Sequence, residues 1–306
     1  MARIVLIHGI GQQSSSPAAQ VAMWLPSLVK GVLLGDAANA SRVAAGLASS
    51  AHDEESVAMA FYGDLFLADG VQGEKLAVDT ETLAVADSFA VALLRRAAAL
   101  EEVRLRDDAT VILAQLDESR DGVQGAGSVA RTAMARLDAN SWLTQRIFGL
   151  AQRAKPDLLQ VARYLTDHYI RAQIQARVQR LITDDTRLVI AHSLGSIVGW
   201  ESCQCNANKL PMLITIGSPL GLDTVVYPRL RPSPPTFPLL THRWVNVAHP
   251  DDIVAVEPHL APLFPSQDSR SVEDHTPRSR NDHHNATSYL EQPEVGRPVS
   301  EILNTD

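Results

Sequence analysis

Short apolar runs alternate along this chain with longer stretches of helical periodicity. Continuous runs of Val, Ile and Leu are typical of strands that are buried on both faces of a parallel sheet. The helical stretches between them are what covers such a sheet. We therefore predict an α/β fold with a mostly parallel central sheet flanked by helices. The predicted strands are residues 4–7, 57–62, 188–191 and 212–216, with a more alternating run at 243–248.

The middle of the chain has a different pattern. Residues 64–184 contain no convincing strand signal and are rich in Ala, Leu, Arg and Gln at helical spacing. This predicts a helical cap insertion, residues 64–184, between two parts of one α/β core, residues 1–63 and 185–306. The Pro-rich piece at 228–238 should be irregular, and the polar tail beyond Pro293 should fray.

Composition and charge exclude several classes of function. The chain has 306 residues with a net charge of −8 and no Lys- or Arg-rich run, so we expect no nucleic-acid partner. The cysteines, Cys203 and Cys205, have no partners elsewhere in the sequence for a disulfide framework or a structural zinc site. We expect a cytoplasmic protein without metal or cofactor. The apolar run at 4–7 is too short for a signal peptide or a membrane span, and we expect no transmembrane segment.

One serine lies where a buried strand meets a helix. The stretch "VIAHSLGSIVGW" places Ser193 after the strand at 188–191, with the small residues Ala191 and Gly195 two positions before and after it. This is nucleophile-elbow spacing, in which a tight turn exposes the hydroxyl at the carboxyl end of the strands, where ligands bind. The alternative is that Ser193 only caps the helix.

The stretch resembles the α/β-hydrolase superfamily, particularly its serine lipases and esterases, some of which carry Ala at the first small position. The resemblance covers the sheet-forming parts and is weak in the middle of the chain. "LIHGIGQQ", residues 6–13, is similar to the oxyanion turn of that superfamily. The resemblance implies an oxyanion hole formed by the backbone N–H groups of Ile10 and Leu194. The pocket residues it implies near this turn are His8, Gly9 and Gly11.

The superfamily order is Ser, then acid, then His. Asp252, in the Asp-Ile-Val that follows the run at 243–248, resembles the acid of several lipases, and Asp251 is the alternative. In related hydrolases the histidine precedes a helix carrying a Tyr-Leu pair. His284 fits that pattern best, while His283 and then His275 are the alternatives. The chemistry requires an imidazole that removes the proton of Ser193 and is oriented by a buried carboxylate.

Two further regions are candidates for the substrate pocket. Ser218 lies in a Gly-Ser-Pro loop similar to one in lipase-like hydrolases, and we interpret it as pocket wall. Trp142 and Phe148 lie on the apolar face of a predicted helix within 140–152. One hypothesis is that this face roofs an acyl pocket. The more common alternative is that it is buried against neighbouring helices.

These residues together predict a serine hydrolase that cleaves a carboxylic ester or thioester through an acyl-enzyme on Ser193. The partner is then a small-molecule or lipid-like acyl substrate. Two alternatives use the same fold: acyl transfer by the same triad, and a non-catalytic binding protein. The sequence leaves the oligomeric state, the acyl chain length and the natural substrate open.

Overall fold

A six-stranded parallel sheet organises the part of the chain that the computed structural model describes, residues 3–35, 40–50, 53, 56–66, 78–118, 154–277 and 283–304. The strand order is β2-β1-β3-β4-β5-β6, and every neighbouring pair is parallel. The predicted class, α/β with a parallel sheet flanked by helices, is confirmed. The strands are β1 Ile4–Ile7, β2 Val57–Ala60, β3 Leu188–His192, β4 Leu210–Ile216, β5 Thr241–Val247 and β6 Glu273–His275.

The strand register brings the carboxyl ends of the central strands to one edge of the sheet. Ile7 of β1 pairs with Ala191 of β3, and Ile216 of β4 pairs with both His192 and Val247. The loops that follow β1, β3 and β5 therefore start side by side. The five predicted strands correspond to β1–β5, whereas the short polar β6 was not predicted.

Helices cover both faces of the sheet. Two short 3₁₀ segments, Gly63–Phe66 and Tyr227–Arg229, lie in the connections. The helices are α1 Pro17–Gly35, α2 Ala40–Ser49, α3 Thr80–Ala98, α4 Val103–Glu118, α5 Ala154–Thr166, α6 His168–Gln179, α7 Leu194–Cys205, α8 Ala286–Leu290 and α9 Pro293–Leu303.

Apolar side chains of β1–β5 divide between two apolar clusters, because successive residues of a strand point to opposite faces. Val5 and Ile7 belong to the cluster that contains residues of α3–α7. Ile4 and Leu6 belong to the cluster on the other face, with α1, α2, α8 and α9. The described helices of the stretch 64–184 are thus part of the main core, and the division into core and cap stays a prediction.

The prediction that the tail frays beyond Pro293 was wrong. Residues Pro293–Leu303 form α9, and Val295 and Val299 are fully buried. A Cβ added to Gly296 would lie 1.9 Å from the carbonyl oxygen of Gly31, so α9 and α1 touch backbone to backbone at this point. The tail is ordered by this close packing against α1.

Helix α1 is, among the described helices, the one that is long and apolar enough to cross a membrane by length and composition. Of its apolar window, 39% is buried inside the protein. Trp24, Leu28 and Val32 belong to the apolar cluster on the second face of the sheet. The inner side of α1 therefore contributes to the core.

Candidate active site

Ser193 occupies a strained turn between β3 and α7. Its backbone angles are φ 54° and ψ −127°, and within the described ranges it is the one residue other than glycine with a positive φ. Such a conformation costs on the order of 1–3 kcal/mol and persists where the surrounding structure enforces it, often at functional sites. The turn places the hydroxyl at the carboxyl edge of the sheet, as nucleophile-elbow spacing predicts.

The small residue after the serine is required by a close approach of two backbones. A Cβ added to Gly195 would lie 2.4 Å from the carbonyl oxygen of His8 and 2.5 Å from that of Ile7. The first turn of α7 therefore rests directly on the end of β1. This contact brings the loop after β1 next to Ser193.

Ser193, His284 and Asp252 form one hydrogen-bonded chain. The Nε2 atom of His284 lies 3.1 Å from Ser193 Oγ, and its Nδ1 atom lies 2.9 Å from Asp252 Oδ2. Because a carboxylate only accepts hydrogen bonds, the Nδ1 atom of neutral His284 carries the proton. Nε2 then carries the lone pair that can accept the proton of the serine hydroxyl. The structure thus brings together the three predicted residues, which lie after β3, β5 and β6.

The Asp252 carboxylate is fully buried and accepts hydrogen bonds from several protein donors. Its Oδ1 accepts the backbone N–H groups of Val254, at 2.9 Å, and Ala255, at 3.3 Å. Its Oδ2 accepts the hydroxyl of Tyr289, at 2.8 Å, and His284. Burial by itself would raise the pKa of Asp252, but His284, Tyr289 and the Val254 N–H outweigh it, and the pKa lies below its ordinary value. The carboxylate is therefore ionised at neutral pH.

The alternative residues face elsewhere. The side chain of Asp251 is 51% exposed, and its backbone N–H donates to His249 Nδ1. The ring of His283 stacks on that of His249, with centroids 3.9 Å apart. His275 lies exposed at the end of β6. The geometry places His284, rather than His283 or His275, against Ser193 Oγ.

The loop after β1 is held by a buried histidine. His8 Nδ1–H donates to the carbonyl of Gly9, at 2.7 Å, and His8 Nε2 accepts the backbone N–H of Tyr62, at 3.2 Å. Burial lowers the pKa of His8 to about 4, so the ring is neutral and keeps this tautomer. The hydroxyl of Tyr62 donates to the His8 carbonyl. His8, a predicted pocket residue, thus fixes the conformation of the loop after β1.

Two backbone donors beside Ser193 have no partner among the described residues. Among the hydrogen bonds of the described residues, none uses the N–H of Ile10 or of Leu194. Leu194 is the first residue of α7, where N–H groups have no partner within the helix and the helix dipole favours negative charge. A Cβ on Gly9 would lie 2.9 Å from Ser193 Cβ, so the turn that carries Ile10 lies against the serine. These are the two donors that the predicted oxyanion hole would use.

Two further residues contribute hydrogen bonds to the site, and the sequence analysis assigned no partner to either. His192 Nε2–H donates to the backbone carbonyl of His284, at 2.8 Å, and burial lowers the pKa of His192 to about 3, so its ring is neutral. Tyr289, which donates to Asp252, also accepts the backbone N–H of His249, at 2.9 Å. In the sequence, His192 is adjacent to Ser193, and Tyr289 follows His284. These positions indicate that both residues lie near the site, but they do not indicate which atoms the side chains contact.

The remaining pocket candidates divide into two groups. Ser218 is buried, its Oγ lies 2.7 Å from Ser196 Oγ and it accepts the N–H of Leu220, so it orders the loop after β4. Trp142 and Phe148 lie outside the described residues. The acyl-pocket roof therefore stays a prediction.

One group of described residues has the composition of a metal site. The ligand atoms of His249, Asp251 and His283 lie within 4.8 Å of one another. The two imidazoles are nearly parallel, 21° apart, so one ion cannot lie in the plane of both rings without a ring rotating. The arrangement present is a stacked pair of rings. It does not form a coordination shell.

A surface cavity of about 400 Å³ lies at the edge of the sheet near β6 and α9. It is lined by charged residues, among them Arg243, Glu294 and Arg297. None of the residues around Ser193 lines it.

Comparisons of the chain with family models, with curated proteins and with solved structures found no match.

Proposed function

We propose that this protein is a serine hydrolase of the α/β-hydrolase fold that cleaves a carboxylic ester or thioester through an acyl-enzyme. The observation that carries the proposal is the hydrogen-bonded chain from Ser193 Oγ through His284 to the buried Asp252 carboxylate. Ser193 stands at a strained turn before α7, beside two backbone donors that no described residue uses. The triad residues follow β3, β5 and β6 along the chain in the order Ser, acid, His, as in the superfamily that the sequence resembles.

In the proposed reaction, His284 Nε2 takes the proton of Ser193 as Oγ bonds to the acyl carbon. The negative charge that develops on the carbonyl oxygen is stabilised by the N–H groups of Ile10 and Leu194. Collapse breaks the bond to the leaving alcohol or thiol, which receives the proton from His284. Water then attacks the acyl-enzyme by the same route and releases the acid and free Ser193.

Asp252 and Tyr289 support this proton transfer from the Nδ1 side of the His284 imidazole. The buried, ionised carboxylate stabilises the positive charge that His284 acquires while it holds the serine proton. Since the proposed chemistry needs only protons and backbone donors, it uses no cofactor. The substrate is a small or lipid-like molecule with an ester or thioester bond.

The test is the Ser193→Ala variant with a fluorophosphonate probe and a panel of aryl esters of increasing acyl length. We expect loss of labelling and a fall in kcat of about a million-fold, as for other triad members. Ser202→Ala is the matched control, because Ser202 is a buried serine of α7, the helix that follows Ser193, and its hydroxyl donates to Gln175. Labelling of Ser193→Ala at the wild-type rate, or no labelling of the wild type, would overturn the proposal.

A further inference from the structure

Helix α5 approaches the turn that carries Ile10. Gln160 of this helix is 5% exposed, and its Oε1 accepts the backbone N–H of Gly11, at 3.2 Å. Because Gly11 N–H can only donate, the amide atom that faces it is the oxygen. Asp157, one turn earlier on α5, lies beside the same residue, since a Cβ on Gly11 would be 3.6 Å from Asp157 Oδ1. One face of α5 thus borders the turn.

The peptide group between Ile10 and Gly11 is held on both sides. Gln160 accepts its N–H, and Gln12 Nε2 donates to its carbonyl oxygen, at 3.2 Å. The preceding carbonyl, that of Gly9, accepts a hydrogen bond from His8 Nδ1–H. With these neighbours fixed, the Ile10 N–H is the donor that the turn leaves for a ligand.

The other end of the Gln160 amide is poorly satisfied. Within the described residues, its buried Nε2 makes no hydrogen bond. A buried donor without a partner costs stability, whereas an apolar side chain of similar size would fill the same space without that cost. Packing alone therefore does not account for a glutamine here. The contact of its Oε1 with the turn does.

We propose that Gln160 is a positioning residue for the oxyanion hole, which it serves by orienting the turn so that Ile10 N–H points at the developing oxyanion. The proposal rests on the proposed hydrolase function. It assigns a task to the stretch 64–184: α5, which comes from that stretch, holds part of the active site in place.

The experiment compares Gln160→Met with Gln160→Glu. Methionine fills the space but offers no acceptor of comparable strength, whereas glutamate keeps an oxygen for Gly11 N–H in either protonation state. Gln204→Met is the control, because Gln204 lies near the far end of α7, about 16 Å of helix from Ser193, and its amide donates to the Thr236 carbonyl.

We expect Gln160→Met to lower kcat on an aryl ester by about 10- to 100-fold with little change in KM, the range for a misplaced oxyanion donor. The inhibition constant of an alkyl trifluoromethyl ketone, whose adduct carries an oxyanion, should rise by the same factor. The melting temperature should stay level or rise. Gln160→Glu should recover most of the activity, and Gln204→Met should keep it.

Amide exchange provides a readout that needs no activity. Exchange of Gly11 N–H should be about tenfold faster in Gln160→Met than in the wild type or Gln160→Glu, because the amide has lost its acceptor. Wild-type kcat in Gln160→Met, or unchanged Gly11 exchange, would overturn the inference. If the wild type hydrolyses no ester, the proposed function fails, and Gly11 exchange alone decides whether Gln160 holds the turn.

Discussion

Two buried carboxylates in this protein have nearly the same surroundings and very different consequences. Asp252 and Glu201 are 1% and 2% exposed, and each accepts four hydrogen bonds from described residues, one of them from a tyrosine hydroxyl. Tyr289 donates to Asp252, and Tyr164 donates to Glu201 at 2.6 Å. The remaining side-chain partner differs, since it is the His284 imidazole for Asp252 and the Arg171 guanidinium for Glu201.

The difference in partner decides what each cluster can do. An imidazole exchanges protons near neutral pH, whereas a guanidinium keeps its protons. The Asp252 cluster can therefore pass a proton to and from Ser193. The Glu201 cluster can only hold chain segments together: α7, which carries Glu201, the helices that carry Tyr164 and Arg171, and the backbone at Arg231.

The two carboxyls also differ in the balance between burial and partners. Burial raises the pKa of Glu201, and Arg171 and Tyr164 offset this only in part. At Asp252 the partners outweigh burial and the pKa is lowered. Equal burial and equal numbers of hydrogen bonds therefore do not imply pKa shifts in the same direction, and variants at the two sites separate catalysis from stability.

The largest expected effect is on turnover at Asp252. Asp252→Asn should lower kcat by about 10⁴-fold, because the amide no longer holds His284 in the tautomer that accepts the serine proton. Steady-state kinetics with an aryl ester measures this. Asp251→Asn is the matched control and should stay within about threefold of the wild type, since its carboxylate is exposed. A larger loss of kcat in Asp251→Asn than in Asp252→Asn would show that Asp251 is the acid and would contradict the assignment to Asp252.

At Glu201 we expect a loss of stability and not of chemistry. Glu201→Gln should lower the free energy of unfolding by about 1–3 kcal/mol, because the amide NH2 cannot accept the hydrogen bond that one nitrogen of the buried Arg171 donates to the carboxylate. Urea unfolding gives the free energy, and titration with the fluorophosphonate gives kcat per folded site, which should be unchanged. The double variant Arg171→Met/Glu201→Leu should recover most of the stability. A double variant as unstable as Glu201→Gln would show that the unpaired Arg171 nitrogen was not the cause.

Removing single tyrosine hydroxyls tests whether Tyr289 contributes to turnover or only to stability. Tyr289→Phe removes one donor from ionised Asp252 and should lower kcat about tenfold and stability by about 1.5–3 kcal/mol. Tyr227→Phe is the control, because its hydroxyl donates to the Leu263 carbonyl, at 2.7 Å. It should lower stability by about 1 kcal/mol and leave kcat unchanged. Equal kcat in both variants would mean that Tyr289 only supports the fold.

The smallest effect is the pH dependence of stability. A lowered pKa means that the unfolded chain binds more protons at Asp252, so stability rises with pH from the folded pKa up to its ordinary value of about 3.9. A raised pKa at Glu201 has the opposite sign, and stability falls with pH above about 4.3. Urea unfolding from pH 3 to 6 should show the deficit of Asp252→Asn growing with pH and that of Glu201→Gln shrinking. Deficits with the same trend would contradict these directions.

Local patterns sufficed for the sheet and for much of the candidate site. The apolar runs identified β1–β5 because a strand buried on both faces has to be apolar throughout. The small residues around Ser193 indicated the sharp turn because larger ones would collide with the end of β1. Asp252 and His284 were chosen over their neighbours by resemblance of short motifs, and their roles stay proposals.

The prediction was wrong or silent where a segment depends on a distant partner. The tail looked too polar to pack, yet α9 is held through the approach of Gly296 to Gly31. Strand β6 has only three residues, and its pairing with β5 defines it. Gly31 is distant in sequence from Gly296, and β5 is distant from β6. Hydrophobic periodicity reports only on neighbouring residues along the chain, so it does not detect either contact.

The side-chain pairs of the two clusters and of the turn form only when the tertiary structure brings distant parts of the chain together. Arg171 and Glu201 are 30 residues apart in sequence, His284 and Ser193 are 91 apart, and Gln160 and Gly11 are 149 apart. Periodicity and turn residues report interactions between near neighbours along the chain. Which buried carboxylate faces an imidazole and which faces a guanidinium depends on how the loops and helices close over the sheet.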